Sequence, residues 1–348
     1  MLDKEFWKDR KVLLTGHTGF KGSWLALWLS HLGAKVYGYS LPPNTNPSMF
    51  KLCEVSRLLA GNVYADIREV YFLTSFMQQL KPSVILHLAA QPLVRDSYLY
   101  PVQTFTTNII GTLRVLEAAR TVSSLEAIEI ITTDKCYKAL KDTGYYEEDQ
   151  LGGKDPYSAS KACAEIVTEA YRESFFKNKV PVMTARAGNV IGGGDWAKDR
   201  LITTALHSIN NNKILQLRNP NAIRPWQHVL DVVYGYLRLI EEAVKQGEVI
   251  AGAWNFGPNY SSTTVAQCID KFFNYYGIGS WEKTVGQDDL VETPILRLNC
   301  IKAIERLKWW PRYNIDRTIK LTVDWYKKFA EGSSMFAITM NQIYDYNQ

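Results

Sequence analysis

An apolar run, Lys11-Val-Leu-Leu-Thr15, breaks into Gly16-His-Thr-Gly19-Phe-Lys-Gly22, and Trp24, Leu25, Leu27, Trp28, Leu29 and Leu32 then recur at helical spacing. A strand that turns through glycines into a helix is the opening unit of a parallel α/β sheet. The first glycine allows the tight turn, the second lets backbone N–H groups approach a pyrophosphate, and the third lets the helix pack closely. Gly16, His17, Gly19, Phe20, Lys21 and Gly22 are therefore the candidate cofactor cradle, with His17 and Lys21 able to add charge to the phosphate contacts.

The pattern continues as alternating strand and helix. Lys35–Tyr39, Asn62–Asp66, Ser83–Leu88, Leu125–Thr132 and Val180–Arg186 read as further strands, and 69–80, 101–120 and 157–176 as helices. Leu41 to Pro47 is irregular because it carries Pro42, Pro43 and Pro47. The implied architecture is a Rossmann-type doubly wound parallel sheet in an α/β domain, with a smaller C-terminal substrate lobe. Residues 1–188 form the first domain, to which segments near 229–256 return; 189–330 form mainly the lobe, and 331–348 a tail that covers the surface or a partner subunit. Ligands in such sheets lie at the carboxyl ends of the strands, where Gly16, Ala89, Thr133 and Ala187 fall.

Composition excludes several function classes. The chain has 348 residues, enough for a large core, and 46% apolar and 22% charged residues, ordinary for a soluble globular protein. Met1 to Arg10 has no apolar signal region and no window approaches a membrane span, so a cytoplasmic protein is expected. Five separated cysteines without a C-x-x-C pair fit a reducing compartment. The net charge of +5 is dispersed, which argues against nucleic-acid binding and suits phosphate-bearing substrates. His31, His87 and His207 lack ligand spacing, so no metal site is expected.

Tyr157 and Lys161, in Tyr157-Ser-Ala-Ser-Lys161, are one helical turn apart and share a face. An ammonium close to a phenol favours phenolate, so the pair can take a proton from a carbinol while a nicotinamide takes its hydride. Thr133-Asp134-Lys135 ends the preceding strand. Read alone it is a polar strand end. At the mouth of a cofactor cleft, an acid and an amine are the parts for removing a proton beside a new carbonyl and expelling a leaving group. Tyr39-Ser40-Leu41 stands where an acid usually holds the adenosine ribose, and no Arg there favours a 2′-phosphate. Asp66, beside Ile67, is either a partner for the adenine edge or a helix N-cap. Arg224 is either a fork for a diphosphate or a surface residue near a turn proline.

Thr15-Gly-His-Thr-Gly-Phe-Lys-Gly22, His87-Leu-Ala-Ala-Gln-Pro92, Thr133-Asp-Lys-Cys-Tyr137, Asp155-Pro-Tyr-Ser-Ala-Ser-Lys161, Arg186-Ala-Gly-Asn-Val-Ile-Gly-Gly-Gly-Asp-Trp196 and Arg224-Pro-Trp-Gln-His-Val229 together resemble the extended short-chain dehydrogenase/reductases. Within that family the resemblance is to nucleotide-sugar 4,6-dehydratases, specifically those acting on CDP-D-glucose. It implies NAD as cofactor and a lyase reaction that gives CDP-4-dehydro-6-deoxy-D-glucose and water. Tyr157 would deprotonate the glucose 4-hydroxyl, Thr133 would hydrogen-bond the same oxygen, and Lys161 would tune Tyr157 and bind the nicotinamide ribose. Lys135 would take the C5 proton and Asp134 would protonate the departing 6-hydroxyl. Many relatives carry Glu where this chain has Lys135, and an ammonium has no lone pair until it loses its proton.

The same resemblance implies Asn108 as a cleft residue, Ala89 and Ala90 along the cofactor, and Gln91, Arg95, Asn189 and Arg224 on the nucleotide sugar. It also implies a homodimer or homotetramer paired through the helices at 101–120 and 157–176. A nucleotide-sugar epimerase, which also uses Tyr157 and NAD, is the alternative; a non-catalytic NAD sensor is a third reading, which intact Tyr157, Lys161 and Asp134 oppose.

Overall fold

In the computed structural model the described residues are 1–138, 141, 143–258, 262–284 and 294–348. The strands are β1 (Lys11–Thr15), β2 (Lys35–Ser40), β3 (Gly61–Tyr64), β4 (Val84–His87), β5 (Ala127–Ile131), β6 (Val182–Ala187), β7 (Val190–Ile191), β8 (Leu215–Leu217), β9 (Gln227–His228), β10 (Gly252–Phe256) and β11 (Trp281–Lys283). Seven of them form one parallel sheet in the order β3-β2-β1-β4-β5-β6-β10. β7 pairs with β9 and β8 with β11 in two small sheets beyond it.

Helices α1 (Phe20–His31), α2 (Val70–Leu80), α3 (Val94–Leu99), α4 (101–119), α5 (Pro156–Tyr171), α6 (Leu201–Asn210), α7 (Val229–Gln246), α8 (Val265–Tyr276), α9 (Ile315–Ala330) and α10 (Met335–Asn347) complete the framework. α1 and α7 cover one face of the sheet and α2, α4 and α5 the other, so β1, β4, β5 and β6 are buried on both faces, and all but β6, which carries Thr184 and Arg186, read as mainly apolar runs. α4 is continuous apart from one wider π turn, Thr106–Ile110, which carries Asn108. α5 starts sharply: Asp155 accepts from the Ser158 N–H at 2.9 Å and Pro156 opens the first turn. That cap fixes Tyr157 in the first turn, beside the end of β5.

The segment expected as a tail is instead a structural helix. Ser334 caps α10, whose Ile343 and Tyr346 are buried; Tyr346 Oη donates to Asp231 Oδ1 on α7 at 2.7 Å and its ring meets Trp28 of α1 edge-on at 5.5 Å. Glycine and serine at 332–334 mislead because they only turn the chain between α9 and α10. β3 also ends two residues early, at Tyr64, since Asp66 and Arg68 close a turn there. Among the described residues no helix is long and apolar enough to cross a membrane.

Within β5 one residue breaks the apolar pattern. Glu129, at the centre of β5 between Leu86 and Met183, is fully buried and neither carboxyl oxygen has a hydrogen-bond partner. Burial alone holds this carboxyl well above its ordinary value of 4.5, so the folded chain keeps a proton that the unfolded chain releases. Stability contributed by a protonated Glu129 is thus complete at low pH and falls by about 1.4 kcal/mol per pH unit above that value. Glu129→Gln removes this slope. Denaturant unfolding is expected to give similar stabilities for both proteins near pH 5 and an increasing advantage for the glutamine variant toward pH 8; parallel curves would contradict it.

Candidate active site

The glycine loop has the shape of a dinucleotide cradle. Gly16 has φ +73°, and a Cβ there would lie 2.7 Å from the Ala89 nitrogen at the end of β4. At Gly22 a Cβ would strike the Gly16 carbonyl oxygen at 2.1 Å, so only glycine lets α1 start this close to the loop. Gly19 caps α1, and its open side meets nothing closer than the Gly16 oxygen. These features leave backbone N–H groups at the N-terminus of a twelve-residue helix, which fits a pyrophosphate. Thr18 Oγ1 donates to the Leu41 carbonyl at 2.9 Å and lies 3.0 Å from Ser40 Oγ, so hydroxyls line the place of the missing acid.

The two charged loop residues do not serve as the sequence reading expected. His17 is buried, 2.7 Å from Asn62 Oδ1 and edge-on to Phe50, in space that exists because residue 38 is glycine. Burial holds its imidazole below the ordinary range, so its side chain brings no positive charge to a phosphate. Lys21 turns away from the loop into the cleft, its Nζ 3.5 Å from Tyr236 Oη on α7. Burial and the charges of Lys161 and Arg200 push that amine down to about 7.

Thr133, Asp134 and Lys135 leave the end of β5 in a tight 3-10 turn opposite the first turn of α5. Thr133 Oγ1 donates to Asp134 Oδ1 at 3.1 Å, and Lys135 Nζ donates to the same oxygen at 3.3 Å. The Asp134 side chain is wholly buried whereas Lys135 is partly open to solvent. Asp134 Oδ2 has no hydrogen-bond partner and faces Gly188; a Cβ on Gly188 would lie 2.9 Å from it. Residue 188 must therefore stay small if the carboxyl is to reach the cleft.

Tyr157 and Lys161 point from α5 toward this turn. Lys161 Nζ donates to the Ile131 carbonyl at 2.9 Å. Burial raises the phenol above its usual value; the guanidinium of Arg200, then the nearby Thr133 hydroxyl, oppose it most. The ammonium expected to activate Tyr157 was that of Lys161; one of its three donors goes to the backbone of β5, and Arg200 is the cation that most favours the phenolate. Burial, against the carboxylate of Glu165, takes Lys161 down to about 8.

Arg200 had no sequence signal beyond its place just before a helical pattern. It arrives on the 195–200 segment, which bridges the cleft toward α3: Arg200 Nη2 donates to the Pro92 carbonyl at 3.4 Å, Lys198 pairs with Asp96 at 2.9 Å, and Arg95 with Asp199 at 3.8 Å. Arg95 thus stands beside this strap. Asn189 follows β6 with a buried, unpartnered Oδ1, and Arg224 is buried with Nη1 on its neighbour's carbonyl at 2.9 Å. Asn108, on the π turn of α4, holds the loop after β4 by accepting from Gln91 N at 2.8 Å and donating to Ser160 Oγ at 2.8 Å. The Gln91 amide is spent on the Leu93 carbonyl and Thr104, so its side chain shapes the loop instead of projecting from it.

Ala89 lies beside the glycine loop, with Ala90 following it in the chain, and Ile67 packs against Gly111. Asp66 does not cap a helix, since α2 begins after Glu69; Arg68 grips its carboxylate at 2.6 Å and, by that hydrogen bond, lowers its pKa. Cys136 is buried and its thiol is pushed up by burial, in keeping with packing. Among the described residues no three His, Cys, Asp or Glu side chains gather as metal ligands.

Residues 13–322 match the family model described as GDP-mannose 4,6 dehydratase. The chain is 42% identical to the CDP-glucose 4,6-dehydratase of Salmonella typhimurium over 99% of its own length and 98% of that protein, and 25% identical to human GDP-mannose 4,6 dehydratase over 91% and 92%. In three dimensions it is similar to the dTDP-glucose 4,6-dehydratase of Bacillus anthracis in complex with NAD (TM-score 0.76, 24% identity, 94% of this chain and 99% of that one). It is also similar to a UDP-glucose 4-epimerase of Stenotrophomonas maltophila with bound NAD (TM-score 0.81, 19% identity, 93% and 100%). With the family model spanning most of its length and the glycine cradle, Tyr/Lys pair and Asp/Lys turn set in one cleft, this chain belongs to the GDP-mannose 4,6 dehydratase family of extended short-chain dehydrogenase/reductases.

Proposed function

We propose that this protein is a CDP-D-glucose 4,6-dehydratase that uses NAD and releases CDP-4-dehydro-6-deoxy-D-glucose and water. The observation that carries the reading is the Asp134–Lys135 contact in the same cleft as Tyr157 and Lys161, in a chain 42% identical over its whole length to a CDP-glucose dehydratase. An epimerase needs a proton acceptor at C4 and no acid–amine pair beside it.

NAD, when bound, supplies a hydride acceptor for C4 and a hydride donor for C6, so the net reaction is redox neutral. Gly16, Gly19, Phe20 and Gly22, with the backbone of His17 and Lys21, hold it together with Asp66, Ile67, Ala89, Ala90 and Asn108. Tyr157 takes the 4-hydroxyl proton and Thr133 steadies that oxygen. The resulting ketone acidifies C5–H. Lys135, as the neutral amine, takes that proton; the C5–H electron pair forms the C5=C6 bond, the C6–O bond breaks, and a proton from Asp134 lets the oxygen leave as water. As C6 then takes up hydride, the Lys135 ammonium, after exchange with solvent, returns a proton to C5. Lys161 binds the ribose, and Arg95, Asn189 and Arg224 bind the nucleotide sugar beside the loop that Gln91 shapes, with Arg200 favouring the Tyr157 phenolate.

The protein works in the cytoplasm, where its five free cysteines stay reduced, as a homodimer or homotetramer. Exposed Leu99, Tyr100, Val102, Ile110 and Ile166 along α3, α4 and α5 supply an apolar face for that pairing. Turnover in deuterated water tests the reaction class: a dehydratase gives a 6-deoxy-4-keto sugar carrying deuterium at C5. A hexose epimer without loss of water would establish the epimerase instead.

A further inference from the structure

The turn that carries Asp134 and Lys135 is gripped at both ends by one buried ion pair. Glu165, one helical turn beyond Lys161 on α5, accepts from Thr132 Oγ1, from Thr184 Oγ1 at 2.6 Å and from Arg186 Nη2 at 2.9 Å. Arg186, on β6, donates from Nη1 to Tyr137 Oη at 2.9 Å and to the Glu147 carbonyl at 2.8 Å. Tyr137 in turn donates to Asn255 Oδ1 at 2.7 Å, and its ring stacks on Tyr145 with centroids 4.5 Å apart. Thr132 immediately precedes the turn and Tyr137 immediately follows it. Glu165 and Arg186 side chains are 3% and 4% exposed, so the pair is sealed from water.

A sealed ion pair is a poor device for stability alone, because apolar residues of similar volume often serve as well or better. A densely hydrogen-bonded one does fix geometry, since its partners have no equally good alternative positions; here both Glu165 oxygens and both Arg186 terminal nitrogens are bonded, and Arg186 Nε alone of the guanidinium nitrogens has no partner. We propose that Glu165 and Arg186 are positioning residues: their ion pair holds Thr132 and Tyr137 so that the Thr133-Asp134-Lys135 turn faces the substrate during elimination. The chemical role rests on the dehydratase reading above; the grip on the turn does not. Tyr157 and Lys161 sit on α5 with its own cap, so C4 oxidation depends less on the grip than elimination does.

The test uses Tyr137→Phe, which deletes one hydroxyl, and the double variant Glu165→Met/Arg186→Met, which removes both charges and leaves neither unpaired. Amide hydrogen exchange in the protein alone is expected to be about tenfold faster across 132–137 in both variants, with exchange elsewhere near wild type. With CDP-glucose, single-turnover dehydration is expected to slow about tenfold to a hundredfold more than C4 oxidation. Unchanged exchange across the turn overturns the grip, and equal slowing of both half-reactions makes the pair merely structural. If the wild type does not dehydrate CDP-glucose at all, the substrate reading fails, and the exchange result alone decides the grip.

Discussion

Lys135→Ala is expected to cut dehydration by about 10²- to 10⁴-fold, the range for losing a general base, while C4 oxidation survives. Rapid mixing with CDP-glucose would then show a 4-keto hexose that keeps its 6-hydroxyl and takes up no deuterium at C5. The structure offers a rival role for this side chain. Lys135 Nζ is 3.3 Å from the buried Asp134 carboxyl and could serve only as its counter-charge. Lys135→Arg separates the two, because guanidinium keeps the charge but cannot give up its proton in a protein. The base role requires the arginine variant to fail like the alanine one; near-normal turnover would leave Lys135 as a counter-ion only.

Tyr157→Phe is expected to lose activity over the same range, but at an earlier step. No 4-keto sugar should form, and no deuterium should enter C5, because the C5 proton becomes acidic only after oxidation. The two variants therefore block different halves of one reaction. In the wild type, burial raises the phenol, so activity should increase with pH as that proton becomes easier to lose. Oxidation by the phenylalanine variant at more than a few per cent of the wild-type rate would move the proton-accepting role elsewhere, with Lys21, an amine in the cleft at about 7, the first place to look.

What could be read from the sequence and what could not divide along physical lines. The glycine loop, the buried parallel strands and the Tyr157/Lys161 face are local patterns: periodicity and spacing within a few residues determine them. The direction of a charged side chain is not local. His17 looked like a phosphate ligand until the absence of a side chain at Gly38 and the amide of Asn62 gave it an internal seat. Lys161 was expected to serve Tyr157, but the carbonyl of Ile131 competes for its proton, and Arg200 acts on the phenol from a segment far along the chain. Ion-pair partners such as Glu165 and Arg186 become neighbours only when α5 packs on β6. The C-terminal helix was missed for a related reason: its stability comes from Trp28 and Asp231, remote residues that a reading of its own composition cannot supply.

The most direct test of the central claim is a panel in which the purified protein, supplied with NAD, is given CDP-glucose, dTDP-glucose, UDP-glucose and GDP-mannose, and each product is identified by nuclear magnetic resonance. Conversion of CDP-glucose to its 4-keto-6-deoxy derivative, with the other three turned over poorly, is the predicted result. Efficient dehydration of another member of the panel with none of CDP-glucose would contradict it.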